Sequence, residues 1–414
     1  MTDIIDRAAH SRNEHMTFRA NMGVGRHGWL RLTPAYGVRL VRDRISHMPS
    51  GSVITDPFSG TGTTPLAAAE LGHRGQSVDI NPFLVWLGTV KTTNYTEDTL
   101  LAVADAAKAV LDAARTHDRE NDLWQPNLFK IEKWWSPGAL YALKALRNEI
   151  DKFEGQVRDL LEIGLCRSLI SCSNAAFNHQ SMSFKEASGE QVLFVVEESE
   201  QTLSTYATEM ATIIESARFD LAGTAVIRNG DSRTGLADLA PADFVLTSPP
   251  YVNRMSYIRE LRPYMYWLRH LDVASDAGDL DWRAIGGTWG TATSKLNTWK
   301  PDVETPVDEA MKVVRENIAA DGGKNGPLLA TYVHKYHHDM WLHFQSITKH
   351  LKPGGSVSYI VGNSTFYKHE VPAHTWYAAM LRELGYADVT IETIRKRNSN
   401  KALFEYDITG TKPS

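Results

Sequence analysis

Cysteine is nearly absent from this chain, with two residues in 414. Both, Cys166 and Cys172, fall in one helix-like segment, GLCRSLISC. Their six-residue spacing puts them on different helix faces, which argues against a mutual disulfide and for a reducing compartment. Also missing is any apolar run long enough to span a bilayer. The first residues, MTDIIDRAAHSRNEHM, are polar and charged with no apolar signal core. A cytoplasmic protein with no membrane partner is the expectation. No strong excess of either charge is present: the net charge of -5 gives no global signature of nucleic-acid binding, so only local patches can supply one. There is no internal repeat and no low-complexity tract. What is present, 43% hydrophobic and 22% charged residues, suffices for a sizeable core. The length fits one large α/β domain with insertions, or two ordinary domains.

The stretch SVITDPFSGTGTTPLAAAELGHRGQSVDINPFLV reads as strand, glycine-rich turn, helix, turn and strand, a βαβ unit. Its helix carries Pro65 in the first turn, where a missing N–H costs little. Before it, RHGWLRLTPAYGVRLVRDRI predicts a turn at Thr33-Pro34 and an amphipathic helix. Residues 97–222 carry helical periodicity in four segments, broken by LWQPNLFKIEKWWSPG and by the polar loop NHQSMSFKEASGEQ. Strand character resumes in TAVIRNGDSR and ADFVLTSPPY. Residues 271–326, with IGGTWGTATSKLNTW, read as irregular. A helix through MWLHFQSITKHL, a turn and strand in LKPGGSVSYIVGNS, and then helix, strand, loop and strand complete the chain. Strands alternating with helices predict a doubly wound, mostly parallel α/β sheet with a large helical insertion.

DPFSGTGTT places Gly60 and Gly62 between a strand and a helix, where small residues let a ligand approach the backbone. The next strand ends at Asp79, whose carboxylate suits two ribose hydroxyls. A tight turn with no ligand is the bland alternative. A dinucleotide fingerprint would want a third glycine, and Thr63-Thr64-Pro65 stand there instead. A phosphate loop would want Gly-Lys-Ser/Thr, also missing. Asp56, just ahead of the turn, suits an ammonium group better than a pyrophosphate. Adenosine at one end and an amino acid at the other describes S-adenosylmethionine.

DPFSGTGTT, VDINP, NGDSR and TSPPY together resemble motifs of the DNA amino-methyltransferases, most closely the Ser-Pro-Pro-Tyr group that usually methylates cytosine N4. The resemblance covers roughly residues 18–83 and 226–407. It implies a Rossmann-like class I methyltransferase fold, with a cofactor half at 1–96, a helical insertion at 97–222 and a catalytic half at 223–414. By position it implies cofactor contacts from Asp56, Pro57, Phe58, Ser59, Gly60, Thr61 and Gly62. Asp79 would take the ribose, Ile80 and Asn81 would flank the adenine, and Asp231 and Ser232 would lie near its edge. Thr33 and Pro34 match the segment that closes over the methionine moiety.

TSPPY explains itself chemically. An exocyclic amino nitrogen is a poor nucleophile because its lone pair is delocalised into the ring. Ser248 Oγ and the Pro249 carbonyl would hold its hydrogens, and Pro249-Pro250 would fix those acceptors in place. Tyr251 would stack on a base rotated out of the duplex. A rigid strand-end turn is the bland alternative. Enzymes that methylate the cytosine ring carbon use a cysteine, typically after a proline, and neither cysteine here follows one. The serine-headed motif favours cytosine N4; many adenine N6 enzymes have aspartate there.

The expected partner is double-stranded DNA, and the family resemblance adds a restriction or defence-system partner. Arg254, Arg259 and Arg262, interleaved with aromatics, are candidate DNA contacts or a mixed core and surface helix. Arg395, Lys396, Arg397 and Lys401 read as a basic loop near the sheet end, either a phosphate contact or a plain solvated loop. Asn178, Ser183 and Lys185 are further candidates for the nucleic-acid face. His334 and His338 lie one helical turn apart, but no third ligand stands at a matching spacing, so no metal is expected. With no extension after the last strand, sequence reading would come from the helical insertion, the 271–326 region or a partner. Three other readings stay open: a DNA adenine N6-methyltransferase, an RNA guanine N2-methyltransferase, and a catalytically silent DNA-binding subunit.

Overall fold

The computed structural model describes residues 4–6, 18–32, 36–117, 123–176, 183–184, 194–236, 238–288, 290–397 and 402–414. Its strands are β1 (Ile4–Asp6), β2 (Val53–Asp56), β3 (Arg74–Asp79), β4 (Ala175–Ala176), β5 (Ser183–Phe184), β6 (Thr224–Asn229), β7 (Ala242–Thr247), β8 (Leu351–Gly362), β9 (Ser364–Phe366), β10 (His369–Val371), β11 (Ala387–Lys396) and β12 (Phe404–Thr411). Among the described residues, eight of them form one sheet in the order β1-β11-β12-β8-β7-β2-β3-β6. Every pairing in it is parallel except those of β12 with β8 and β11. The molecule is a Rossmann-like, doubly wound α/β fold with one antiparallel strand set into an otherwise parallel sheet.

The central strands β2 (VITD) and β7 (ADFVLT) are buried along nearly their whole length because helices cover both their faces. On one face, helices Val38–Ile45 and Thr63–Glu70 pack Val41, Ile45, Ala67 and Ala68 against Ile54, Phe244 and Leu246. Small residues let the second helix come close. A β-carbon on Gly75 of β3 would lie 2.5 Å from the Pro65 carbonyl oxygen. On the other face, helices Gly326–His350 and Ala373–Glu383 join Val245, Val357 and Tyr359 in a second core.

Between β3 and β6 the chain forms helices Glu97–Thr116, Pro137–Ile150, Gly155–Ser171 and Phe194–Ala217. Their core, with Val103, Leu146, Leu161 and Tyr206, is continuous with Phe83 and Leu87 of helix Pro82–Lys91 and with Tyr264 and Trp267 of helix Tyr257–Trp267. The tryptophan-rich interruption belongs to that core. Trp134 and Trp135 are buried, and Trp135 Nε1 donates to the Leu169 carbonyl at 2.9 Å.

The structure corrects several sequence expectations. Residues 271–326 are not irregular: they hold helices Ala274–Arg283, Thr291–Leu296 and Asp308–Asp321. The glycines between the first two, Gly286 at φ 80 and Gly290 at φ 60, cut the segment into pieces too short to show a period. The third helix buries only Met311 and Ile318, so its apolar stripe is sparse. LKPGG is no turn before a strand but the start of β8, bulged where Gly354 takes φ 75 and the register to β7 jumps. Arg395 and Lys396 belong to the end of β11 rather than to a loop.

Candidate active site at the carboxyl ends of the central strands

The order of the sheet reverses between β2 and β7, with β3 and β6 following on one side and β8 on the other. In open α/β sheets the crevice outside the carboxyl ends at such a point receives the ligand. Both turns singled out in the sequence leave the sheet there, after Asp56 of β2 and Thr247 of β7. Thr247 Oγ1 donates to Asp56 Oδ1 at 2.6 Å and ties the two strand ends together.

A cavity of 410 Å³ is lined by both turns, Pro57 to Thr61 from the first and Ser248 to Tyr251 from the second. Asp79 at the end of β3, Ile80 and Asn81 after it, and Asp231 and Ser232 after β6 line it as well. Asp56 and Gly62 do not line it. Asp56 is fully buried, and its Oδ1 also accepts the Phe58 N–H at 3.0 Å. Tyr36 OH lies 3.4 Å from its Oδ2 and is also hydrogen-bonded to Thr64 Oγ1. Burial pushes the Asp56 carboxyl up to about 7, against the pull of the Thr247 and Phe58 hydrogen bonds. Thr33 and Pro34 lie outside the described residues; their neighbours Leu32 and Tyr36 line the cavity.

The glycine turn is left-handed at Gly60 (φ 50) and Gly62 (φ 73). A β-carbon on Gly62 would meet Gly88 Cα at 3.2 Å. Asp79 braces this turn from the next strand, with Oδ2 accepting the Gly60 N–H and Oδ1 the Asn81 N–H, each at 2.9 Å. Burial pushes its carboxyl up to about 6, opposed by those backbone donors. Asn81 caps helix Pro82–Lys91 by accepting the Phe83 N–H at 3.0 Å. From that helix the buried Lys91 Nζ donates to the Thr61 carbonyl at 2.7 Å, and burial brings its ammonium down to about 7.

Tyrosines hold the second turn. Tyr336 OH donates to the Pro250 carbonyl at 2.6 Å and shares a 2.6 Å hydrogen bond with Tyr377 OH. The Tyr251 N–H donates to Tyr257 OH at 3.1 Å. Tyr251 OH donates to Glu405 Oε1 at 3.1 Å, and Arg395 clasps both oxygens of Glu405 at 2.6 and 2.7 Å. The Arg397 guanidinium sits 4.9 Å from the centre of the Tyr251 ring, with Nη1 donating to the Asn363 carbonyl at 2.9 Å. Burial first, then the Glu405 charge, raises the Tyr251 phenol well above its ordinary value.

Of the basic candidates, Arg395 and Arg397 line the cavity; Lys396, Arg254, Arg259 and Arg262 do not. Arg254 takes φ 59, and its N–H donates to Tyr332 OH at 3.2 Å. Arg262 Nε donates to the Arg259 carbonyl at 3.3 Å. Ser183 pairs with Ala176 across β4 and β5, while Asn178, Lys185 and Lys401 lie outside the described residues. Asp231 is paired with Arg233 at 2.6 Å, and Arg233 also reaches Asp339 at 2.9 Å. His334 and His338 face Asp308 and Asp302 at 3.5 and 2.6 Å.

Sequence reasoning missed Tyr36, Lys91, Tyr257, Glu260 and Tyr336. Tyr36, Tyr257 and Glu260 stand beside motifs already recognised, so proximity was a usable signal. Lys91 and Tyr336 reach their turns from 30 and 86 positions away, which no local pattern encodes.

No protein-family model matches the chain. It is 22% identical over 450 residues to the type II methyltransferase M.BsoBI of Geobacillus stearothermophilus, covering 96% of this chain and 86% of that protein. Among solved structures, the rRNA methyltransferase aviRa from Streptomyces viridochromogenes is similar at a TM-score of 0.30 and 12% identity, over 98% of this chain and 96% of that one. A likeness that slight carries no argument, and the fold rests on the strand order. Similarity to a methyltransferase along nearly the whole chain, joined to a Rossmann-like sheet with a cavity at its switch point, supports methyltransferase activity.

Proposed function

We propose that this chain is an S-adenosylmethionine-dependent DNA methyltransferase that modifies an exocyclic amino nitrogen, cytosine N4, of a flipped-out base. One observation carries the reading: the glycine turn and the Ser-Pro-Pro-Tyr turn line the same cavity. The volume of 410 Å³ falls in the range of small-molecule sites. Its lining fits an adenosine cofactor, since a carboxylate (Asp79) stands between an open glycine backbone and the apolar Ile80 and Leu84.

S-adenosylmethionine, when bound, supplies a methyl group activated by a sulfonium. Asp79 would accept ribose hydroxyls, with Ile80 and Asn81 beside the adenine. Ser248 Oγ and the Pro249 carbonyl hold the hydrogens of the target amine and localise its lone pair. The Pro250 carbonyl is engaged by Tyr336, which leaves that of Pro249 to the substrate. Tyr336 and Tyr257 fix the turn in advance, so little reorganisation is required as the methyl transfers. Tyr251 offers its ring to the base. Neither cysteine lines the cavity, and burial raises both thiols, which fits attack by the base nitrogen itself with no covalent enzyme intermediate.

Calorimetric titration with S-adenosylmethionine and labelled methyl transfer to duplex DNA and to tRNA test the reading together. Ser248→Ala is expected to bind cofactor like wild type and to transfer methyl roughly a hundredfold more slowly. Label on cytosine N4 of DNA is the expected product. Label confined to guanine N2 of RNA, or tight cofactor binding with no transfer to any DNA, overturns the proposal.

A further inference from the structure

Among the described residues, four carboxylates line the cavity, and three of them are already engaged. Asp79 accepts two backbone N–H groups, Asp231 is paired with Arg233, and Glu405 is held by Arg395 and Tyr251. The fourth, Glu260, sits in the first turn of helix Tyr257–Trp267 between Ile258 and Leu261, which line the same wall. The cap of that helix is Ser256, whose Oγ accepts the Arg259 N–H at 3.1 Å, so Glu260 is not needed for capping. Among the described residues its carboxylate makes no hydrogen bond and no ion pair; the charge of Arg31 acts on it at longer range.

A half-buried carboxylate beside apolar side chains with no partner is costly to keep charged. Burial pushes the Glu260 carboxyl up to about 7, with Arg31 opposing. A cation placed beside it in the ligand cavity would offset that burial and favour its charged form. The residue to which sequence reasoning gave that cation, Asp56, is sealed from solvent with both carboxylate oxygens engaged.

We propose that Glu260 is the carboxylate that pairs with the ammonium of the cofactor's amino-acid portion. The inference rests on the cofactor proposed above. Binding divides the cavity's negative groups by task, with Asp79 toward the ribose and Glu260 toward the amino acid. Glu260 acts in recognition only and takes no part in methyl transfer.

The test is calorimetric titration of wild type, Glu260→Gln and Glu260→Asp with three ligands. S-adenosylmethionine and S-adenosylhomocysteine carry the ammonium; methylthioadenosine keeps adenosine and a thioether but lacks the amino acid. Glu260→Gln is expected to weaken both ammonium-bearing ligands about tenfold or more and to leave methylthioadenosine within about twofold. Glu260→Asp is expected to fall between. Retained methylthioadenosine binding also reports an intact fold. Equal weakening of all three ligands, or no change in any, overturns the inference. So does a loss confined to S-adenosylmethionine, which alone bears the sulfonium. A wild-type protein that binds none of the three overturns the proposed function and this inference with it.

Discussion

Asp56 joins the two strand ends and stores instability in doing so. Its folded-state value of about 7 lies above the ordinary 3.8, so the native state prefers the neutral acid. The sign follows from linkage: the stabilising contribution is complete below the ordinary value and is lost as pH rises through about 7. Asp56→Asn is neutral at every pH and keeps an acceptor for Thr247 Oγ1 and the Phe58 N–H. At about pH 8 the variant is expected to exceed wild type in stability by roughly 1 to 4 kcal/mol, and at about pH 4 to match it. Urea denaturation at the two pH values checks this, and an equal gain at both would show that the charge of Asp56 is not the cause. A second residue, Lys91, carries the same kind of cost, since its ammonium is buried in order to hold the Thr61 carbonyl.

At the scale of elements, the glycine turn depends on backbone geometry more than on side chains. Gly62 opens helix Thr63–Glu70 from a left-handed conformation and lies against Gly88 of helix Pro82–Lys91. Gly62→Ala therefore meets both a positive φ and a 3.2 Å contact, and is expected to cost about 1 to 3 kcal/mol. Its melting temperature should drop, and its affinity for S-adenosylmethionine with it; a variant as stable as wild type would refute the strain argument. This turn was legible in the sequence because glycine marks left-handed backbone between the strand-like SVIT and the helix-forming PLAAAE. The strand-end placement of TSPPY was legible through the run ADFVL before it, whereas its place at the switch point came only with the strand order. The three helices within 271–326 were not, since short amphipathic pieces separated by glycine leave no period to count. Neither was β1, three residues whose pairing with Ile391–Thr393 lies nearly four hundred positions away. The tyrosines behind Pro250 and Tyr251 were hidden because they resemble ordinary core residues until the fold brings them together.

For the whole molecule, the helical block between β3 and β6 shares its core with helices on either side of it in the chain. Phe83 stacks on Tyr264 at 5.3 Å, and Trp267 meets Trp135 edge-on at 5.5 Å. Such continuity predicts one cooperative thermal transition rather than separate melting of block and sheet. Differential scanning calorimetry checks it, and two resolved transitions would contradict it. The same long-range construction governs the cavity, whose walls come from Leu32 to Leu84, from Gly230 to Ile285 and again from Arg395 to Glu405. Glu405 takes its place in that wall only once β12 slots antiparallel between β8 and β11. A ribosome makes the glycine turn long before the Glu405 wall, since synthesis adds roughly 5 to 20 residues per second. Under the proposed function, a chain released before β12 is made lacks the Glu405 that holds Tyr251, and modifies nothing. The genome would meet this activity only in completed molecules.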